Sequence, residues 1–160
     1  MVSRNKYKLF LDQNLELQIV PMNNVDDVQY YHFLKEMKNR GLTQFLFTSK
    51  LTINLLLQIL QDNHIQVVNI KLYDEDEQTS KKIKKLFENY QNGDIDSEEV
   101  HSILEYLEDD YSIDIRSIKV QNLKDNHGSL ELFVNGIFLN RDEYWNNFLK
   151  NAVDIAWENG

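Results

Sequence analysis

Between Leu86 and Ile115 the chain carries ten carboxylates (Glu88, Asp94, Asp96, Glu98, Glu99, Glu105, Glu108, Asp109, Asp110 and Asp114) and not one Lys or Arg. Unpaired carboxylates are costly to bury, so this stretch must fold on the outside, its apolar residues gathered on one inward stripe. The charge is local. Residues 1–73 hold 8 basic and 6 acidic side chains, a net of +2, whereas residues 74–160 hold 9 and 20, a net of −11. Self-repulsion at that density destabilises a compact chain, and the same field attracts anything cationic.

At 160 residues the chain fits one domain over 1–160, with 74–80 as the candidate seam, and can bury a core without staples. It has no Cys, so disulfides and thiolate chemistry are excluded. Residues 1–14 contain no apolar block, so no secretory signal is expected, and the greasiest stretch, 51–60, is too short to span a bilayer. These readings point to a soluble, cytoplasmic protein with no membrane partner. The composition, rich in Asn, Ile, Lys and Tyr with a single Pro, is that of an AT-rich gene, as in a low-GC bacterium or mobile element.

Period-two alternation marks strands at 7–11 and 15–20, with Asp12, Gln13 and Asn14 supplying the turn between them. Asn24 is positioned to cap a helix reaching Arg40, with Asp26 and Asp27 in its first turn. A strand at 43–48, a helix at 50–63 capped by Ser49, and a strand at 65–73 read as a βαβ unit (43–73), whose two strands should lie parallel and close together. The helix is apolar on more than one side and should be covered accordingly. Two further helices are built on Ile83, Leu86, Phe87 and Tyr90, and on Val100, Ile103, Leu104 and Leu107, each at i, i+3, i+4, i+7 spacing. Asp96 with Glu99 starts the second as a capping box would. Strands at 111–120 and 130–133 follow, then the Asn135-Gly136 turn signal and a returning strand at 137–139. Asn140 with Glu143 should cap a last helix burying Trp145, Phe148, Leu149, Ala152 and Ala156 and leaving Trp157 exposed. The expected fold is α+β: a mixed sheet of about six strands with about five helices, one βαβ unit, and a C-terminal β-hairpin followed by a helix.

On the second acidic helix Glu98, Glu105, Glu108 and Asp109 fall within one arc, opposite the apolar stripe. Six carboxylates (Glu98, Glu99, Glu105, Glu108, Asp109, Asp110) over about 18 Å give about one per 3 Å, close to the roughly 3.4 Å spacing of phosphates along one DNA strand. That spacing fits a decoy for a basic groove; the plain alternative is a solvated helix face. Tyr106 and Tyr111 add aromatic anchors beside it, and Trp157 adds another at the C-terminus. The strand ends of 43–73 offer a second candidate: Thr48, Ser49 and Lys50 at a helix N-terminus, with Asp74 and Asp76 after the next strand, could hold a phosphate and a magnesium ion. Against it, Ser49 is an ordinary cap and no Gly-rich loop accompanies it. Asn92, Gly93, Asp94, Ile95 and Asp96, closed by Glu99, are similar to the second half of an EF-hand calcium loop. Glu88 and Tyr90 depart from the first half, so a helix-turn-helix connection without metal is expected. His32, His64, His101 and His127 form no metal-ligand pair, and no serine lies in a nucleophile-elbow setting.

The excess of carboxylates argues against direct nucleic-acid binding, since Lys81, Lys82, Lys84 and Lys85 follow Asp74, Glu75, Asp76 and Glu77 and can pair with them along a helix. The reading that results is a noncatalytic interaction protein without cofactor. It acts as an inhibitor, immunity-type or regulatory factor whose partner-binding residues are Glu98, Glu99, Glu105, Tyr106, Glu108, Asp109, Asp110 and Tyr111. Its partner is a protein with a basic surface, itself nucleic-acid-binding or a nuclease, and a homodimer is compatible. The alternatives are a magnesium-dependent phosphoryl-transfer or nuclease-like enzyme at Thr48, Ser49, Lys50, Asp74 and Asp76, and a small-ligand regulatory domain at the same edge.

Overall fold

Alternating sequence becomes antiparallel sheet throughout. The computed structural model describes residues 4–74, 77–110, 114–124 and 126–158, without the side chains of 108–110. Its strands are β1 (Asn5–Leu11), β2 (Leu17–Pro21), β3 (Thr43–Gln44), β4 (Ile65–Leu72), β5 (Ile115–Asn122), β6 (Ser129–Phe133) and β7 (Ile137–Asn140). The helices are α1 (Tyr30–Asn39), α2 (Ser49–Ile59), α3 (Glu77–Gln91), α4 (Ser97–Asp110) and α5 (Tyr144–Glu158). The sheet order is β2-β1-β7-β6-β5-β4, with β3 set against β1. No described helix is long and apolar enough to cross a membrane.

The α+β class, the five helices and the C-terminal hairpin followed by α5 are as expected. The strand-helix-strand order of 43–73 is present too, but its pairing is corrected: among the described residues no pair is parallel, so the seven-stranded sheet is antiparallel where a mixed one was expected, and β4 pairs β5 while β3 pairs β1. The reason is local. β7 covers β1 only from Asn5 to Lys8, so Phe10 and Leu11 keep a free edge on which the two-residue β3 settles.

Register explains the layers. Tyr7, Phe138, Leu132, Ile118 and Ile70 align across five strands and all enter the main core, under α2, α3, α4 and α5. Helix α2 is covered on several sides, with Leu55 and Leu56 at 0% exposure; each such burial contributes about 1.5–3 kcal/mol. Core residues come from both sides of 74–80. On the opposite face Phe10, Met22, Phe33 and Met37 form a smaller cluster beneath α1. That helix begins later than the sequence suggests, because Asp26 Oδ1 accepts the Gln29 N–H at 2.8 Å and closes a turn ahead of it. Gln29, not Asn24, is the cap, and its side chain makes no capping hydrogen bond. At β4, α3 covers the backbone: Ser80 Oγ donates to the Ile70 carbonyl, and Gln91 Nε2 to the Ile65 carbonyl at 2.5 Å.

The β6–β7 turn joins three strands. Gly136 N–H donates to the Phe133 carbonyl at 2.9 Å, and of residues 134–136 only Gly136 has a positive φ, +88°. This is a three-residue loop ending on a left-handed glycine, the longer relative of a two-residue Asn-Gly turn. Gly136 in turn accepts the Leu9 N–H at 3.0 Å, while the Val134 carbonyl accepts the Phe47 N–H at 2.8 Å. A Cβ at Gly136 would stand 2.5 Å from the Phe45 carbonyl. Beside it Lys8, fully buried, donates to the Asn135 carbonyl, its Nζ lying 5.8 Å and 5.9 Å from the ring centroids of Phe10 and Tyr30. Burial penalises the ammonium, pulling its pKa down to about 8.

Two outcomes follow from this turn. Gly136→Ala meets both a left-handed backbone and a carbonyl contact, and is expected to cost about 2–4 kcal/mol in urea unfolding. Unfolded Lys8 holds its proton to about pH 10.4 while folded Lys8 loses it near 8, so the unfolded state binds more protons between those values and stability rises with pH there. Subtracting Lys8→Met unfolding curves from wild type isolates that rise; identical pH slopes between 8 and 10 would refute it.

Candidate functional site

Helix α4 starts where Asp96 Oδ1 accepts the Glu99 N–H at 2.8 Å, the half of a capping box that the sequence signals. Glu98 and Glu99 then lie in its first turn, where the positive end of the helix dipole favours them. The helix runs to Asp110, and its last turn holds no basic residue. Val100 and Leu104 are buried and Leu107 half-buried, but Ile103 is 39% exposed and Tyr106 68%. The expectation that Ile103 joins the buried stripe is therefore corrected: α4 packs through a narrower seam than its four apolar positions imply.

The exposed side of α4 reads as two lines. Glu98 and Glu105 stand seven residues apart, and Glu99, Ile103 and Tyr106 follow i, i+4, i+7 beside them, all exposed. None of Glu98, Glu99 and Glu105 makes an ion pair among the described residues. The pair on the neighbouring helix is Lys84 with Glu88, Nζ to Oε1 3.7 Å, which uses its cation within α3. The side chains of Glu108, Asp109 and Asp110 and all of Tyr111 lie outside the described residues. The EF-hand-like carboxylates have other work: Glu88 pairs with Lys84 and Asp96 caps α4.

The second candidate is dispersed among other features. Thr48, not Ser49, caps α2, its Oγ1 accepting the Leu51 N–H at 3.1 Å. Thr48 and Lys50 line a cavity with Phe45, Leu46, Leu51 and Trp157. Asp74 follows β4, on the far side of the sheet from β1 and β3, and lines none of the cavities described; Asp76 is outside the described residues.

One cluster escapes sequence reasoning. His127 Nδ1 donates to Asp142 Oδ2 at 2.7 Å, the role left to it by an ionised carboxylate, and the imidazole stacks on Tyr144 with centroids 3.9 Å apart. Asp142 Oδ1 accepts the Tyr144 N–H at 2.9 Å and Trp145 Nε1 donates to the His127 carbonyl at 3.1 Å. Asp142 therefore starts α5, and Asn140, expected as the cap, is buried and donates to Asn146 Oδ1 at 2.9 Å. The group ties the β5–β6 loop to the head of α5. Its signal in sequence is slight: Asn126 and Gly128, both at positive φ, around a histidine.

The His127 hydrogen bond first, and the Tyr144 N–H second, hold Asp142 below the usual carboxylate range. A carboxylate so shifted contributes stability above its unfolded pKa, near 3.9, and loses it as pH falls through the lowered folded value. Asp142→Asn is thus expected to flatten the loss of stability below about pH 4, read from urea midpoints; an unchanged acid limb would contradict this. No protein-family model, curated protein or solved structure matches the chain.

Proposed function

We propose that the chain is a noncatalytic interaction protein, an inhibitor, immunity-type or regulatory factor, that docks a basic surface of a nucleic-acid-binding protein through the outer side of α4. The observation that carries this reading is the pairing of Glu98, Glu99 and Glu105, exposed and without ion pairs among the described residues, with exposed Ile103 and Tyr106. Carboxylates alone would make a solvated face. An apolar anchor pair between them is what an interface needs, because desolvated aromatic and aliphatic groups supply most binding energy while charges set approach and register.

Affinity capture from the native cell, repeated with variants, tests it. Wild type is expected to retain one basic protein, and Glu98→Lys with Glu99→Lys and Glu105→Lys to lose it with the fold intact by circular dichroism. Tyr106→Ala should weaken the purified complex at least about tenfold, about 1.4 kcal/mol. Retention of the same protein by the triple variant would sink the reading.

A further inference from the structure

On the other side of the molecule two cavities of about 720 Å³ and 450 Å³ adjoin, sharing Gln44 and Leu46 as their common wall. The segment that separates them is extended: Phe45 and Phe47 turn inward, at 4% and 8% exposure, and Leu46 turns outward at 57%. Inward anchorage is complete, since the Phe45 N–H donates to Leu9 and the Phe47 N–H to Val134. On one flank Tyr31, Leu34, Lys35 and Lys38 follow i, i+3, i+4, i+7 along α1, next to the stripe that buries Phe33 and Met37. On the other flank stand Lys50, Leu51 and Trp157, whose ring is held edge-on against Phe45 at 5.4 Å. Tyr31 is 72% exposed. Among the described residues three lysines line the pair of cavities and no carboxylate does, in a chain with 26 acidic residues against 17 basic.

An apolar groove rimmed by cations selects an apolar helix rimmed by anions, and the molecule displays one. We propose that the groove on either side of Leu46 is a docking site for helix α4 of a second copy of this chain. Ile103 and Tyr106, one helical turn apart, seat against the two sides of Leu46, while Glu98, Glu99 and Glu105 meet Lys35, Lys38 and Lys50. Helix α4 lies beside α3 near β4, and the groove lies beside β1 and β3, so each copy offers its two patches at opposite ends of the sheet. The contact is therefore head-to-tail, and it adds copies beyond two unless a ring closes. The inference rests on the exposure of α4 and not on an outside partner; such a partner would compete with the groove for the same helix.

Sedimentation velocity of the full chain tests this. At about 0.02 M salt the average mass is expected to rise with concentration above the 19.1 kDa of one copy, and at about 0.5 M to return to it, as the screening length falls from about 20 Å to about 4 Å. Lys35→Glu with Lys38→Glu should hold the chain at one copy, and so should Glu98→Lys with Glu99→Lys and Glu105→Lys. All five positions are exposed, and unchanged circular dichroism and thermal midpoint establish that each variant is folded. Mixed in equal amounts, the two variants should associate again, because each ridge then meets a groove of opposite sign. A wild-type chain that stays at one copy in low salt, association that survives the lysine reversal, or a mixture that stays apart each overturns the proposal. Wild type that remains single yet binds a synthetic acidic, apolar peptide also overturns it, and gives the groove to another protein. The lysine variant keeps α4 intact, so its capture of the outside protein is expected to persist; the two readings therefore fail separately.

Discussion

The hydrogen bond from the Leu9 N–H to the Gly136 carbonyl is the hinge pin of the sheet. Leu9 sits where β7 has ended and β3 begins, giving its N–H to the β6–β7 turn and its carbonyl to Phe45. That double use works only if the turn comes close, and the turn comes close only because residue 136 has no side chain. From there the path of the chain is set. Phe45 and Phe47 are drawn inward, Leu46 is pushed out, and Thr48 arrives where it can cap α2. Lys8 buttresses the same turn from the α1 face, which is why an amine tolerates complete burial there.

Local structure was legible where one physical signal dominates. The alternation of 7–11, the carboxylate of Asp12 closing the first turn onto Asn14 and Glu16, the all-round apolar α2 and the stripe of Trp145, Leu149, Ala152 and Ala156 each read directly. Partners far apart in sequence were not. Nothing in residues 43–48 says that the pairing of β1 with β7 stops at Lys8 and leaves β1 an open slot, and that vacancy replaced a parallel crossover with an antiparallel pair. The Asp96 cap of α4 was legible, but the caps of α1, α2 and α5 were not, for a different reason. Thr48 and Ser49, like Asn140 and Asp142, are competent oxygens near a helix start, and sequence alone does not say which one the folded backbone brings into reach.

The acidic character of α4 could be counted from the sequence, whereas its chemistry could not. Ile103 has the spacing of a core residue, and only the narrow packing of α4 leaves it outside with Tyr106. The lysine-lined groove was less visible still, because Lys35, Lys38 and Lys50 belong to two helices and converge on a segment whose own residues are neutral. A net charge computed over the chain hides this separation into two surfaces of opposite sign.

The α3 side chains that bond the carbonyls of Ile65 and Ile70 have one further effect. A sheet border left bare is a template on which a foreign strand can crystallise, and amyloid-like stacking begins there. Hydroxyl and amide donors seated on two of the β4 carbonyls leave an added strand fewer acceptors there. The same two bonds make that border a poorer template for fibre growth than a bare edge would be.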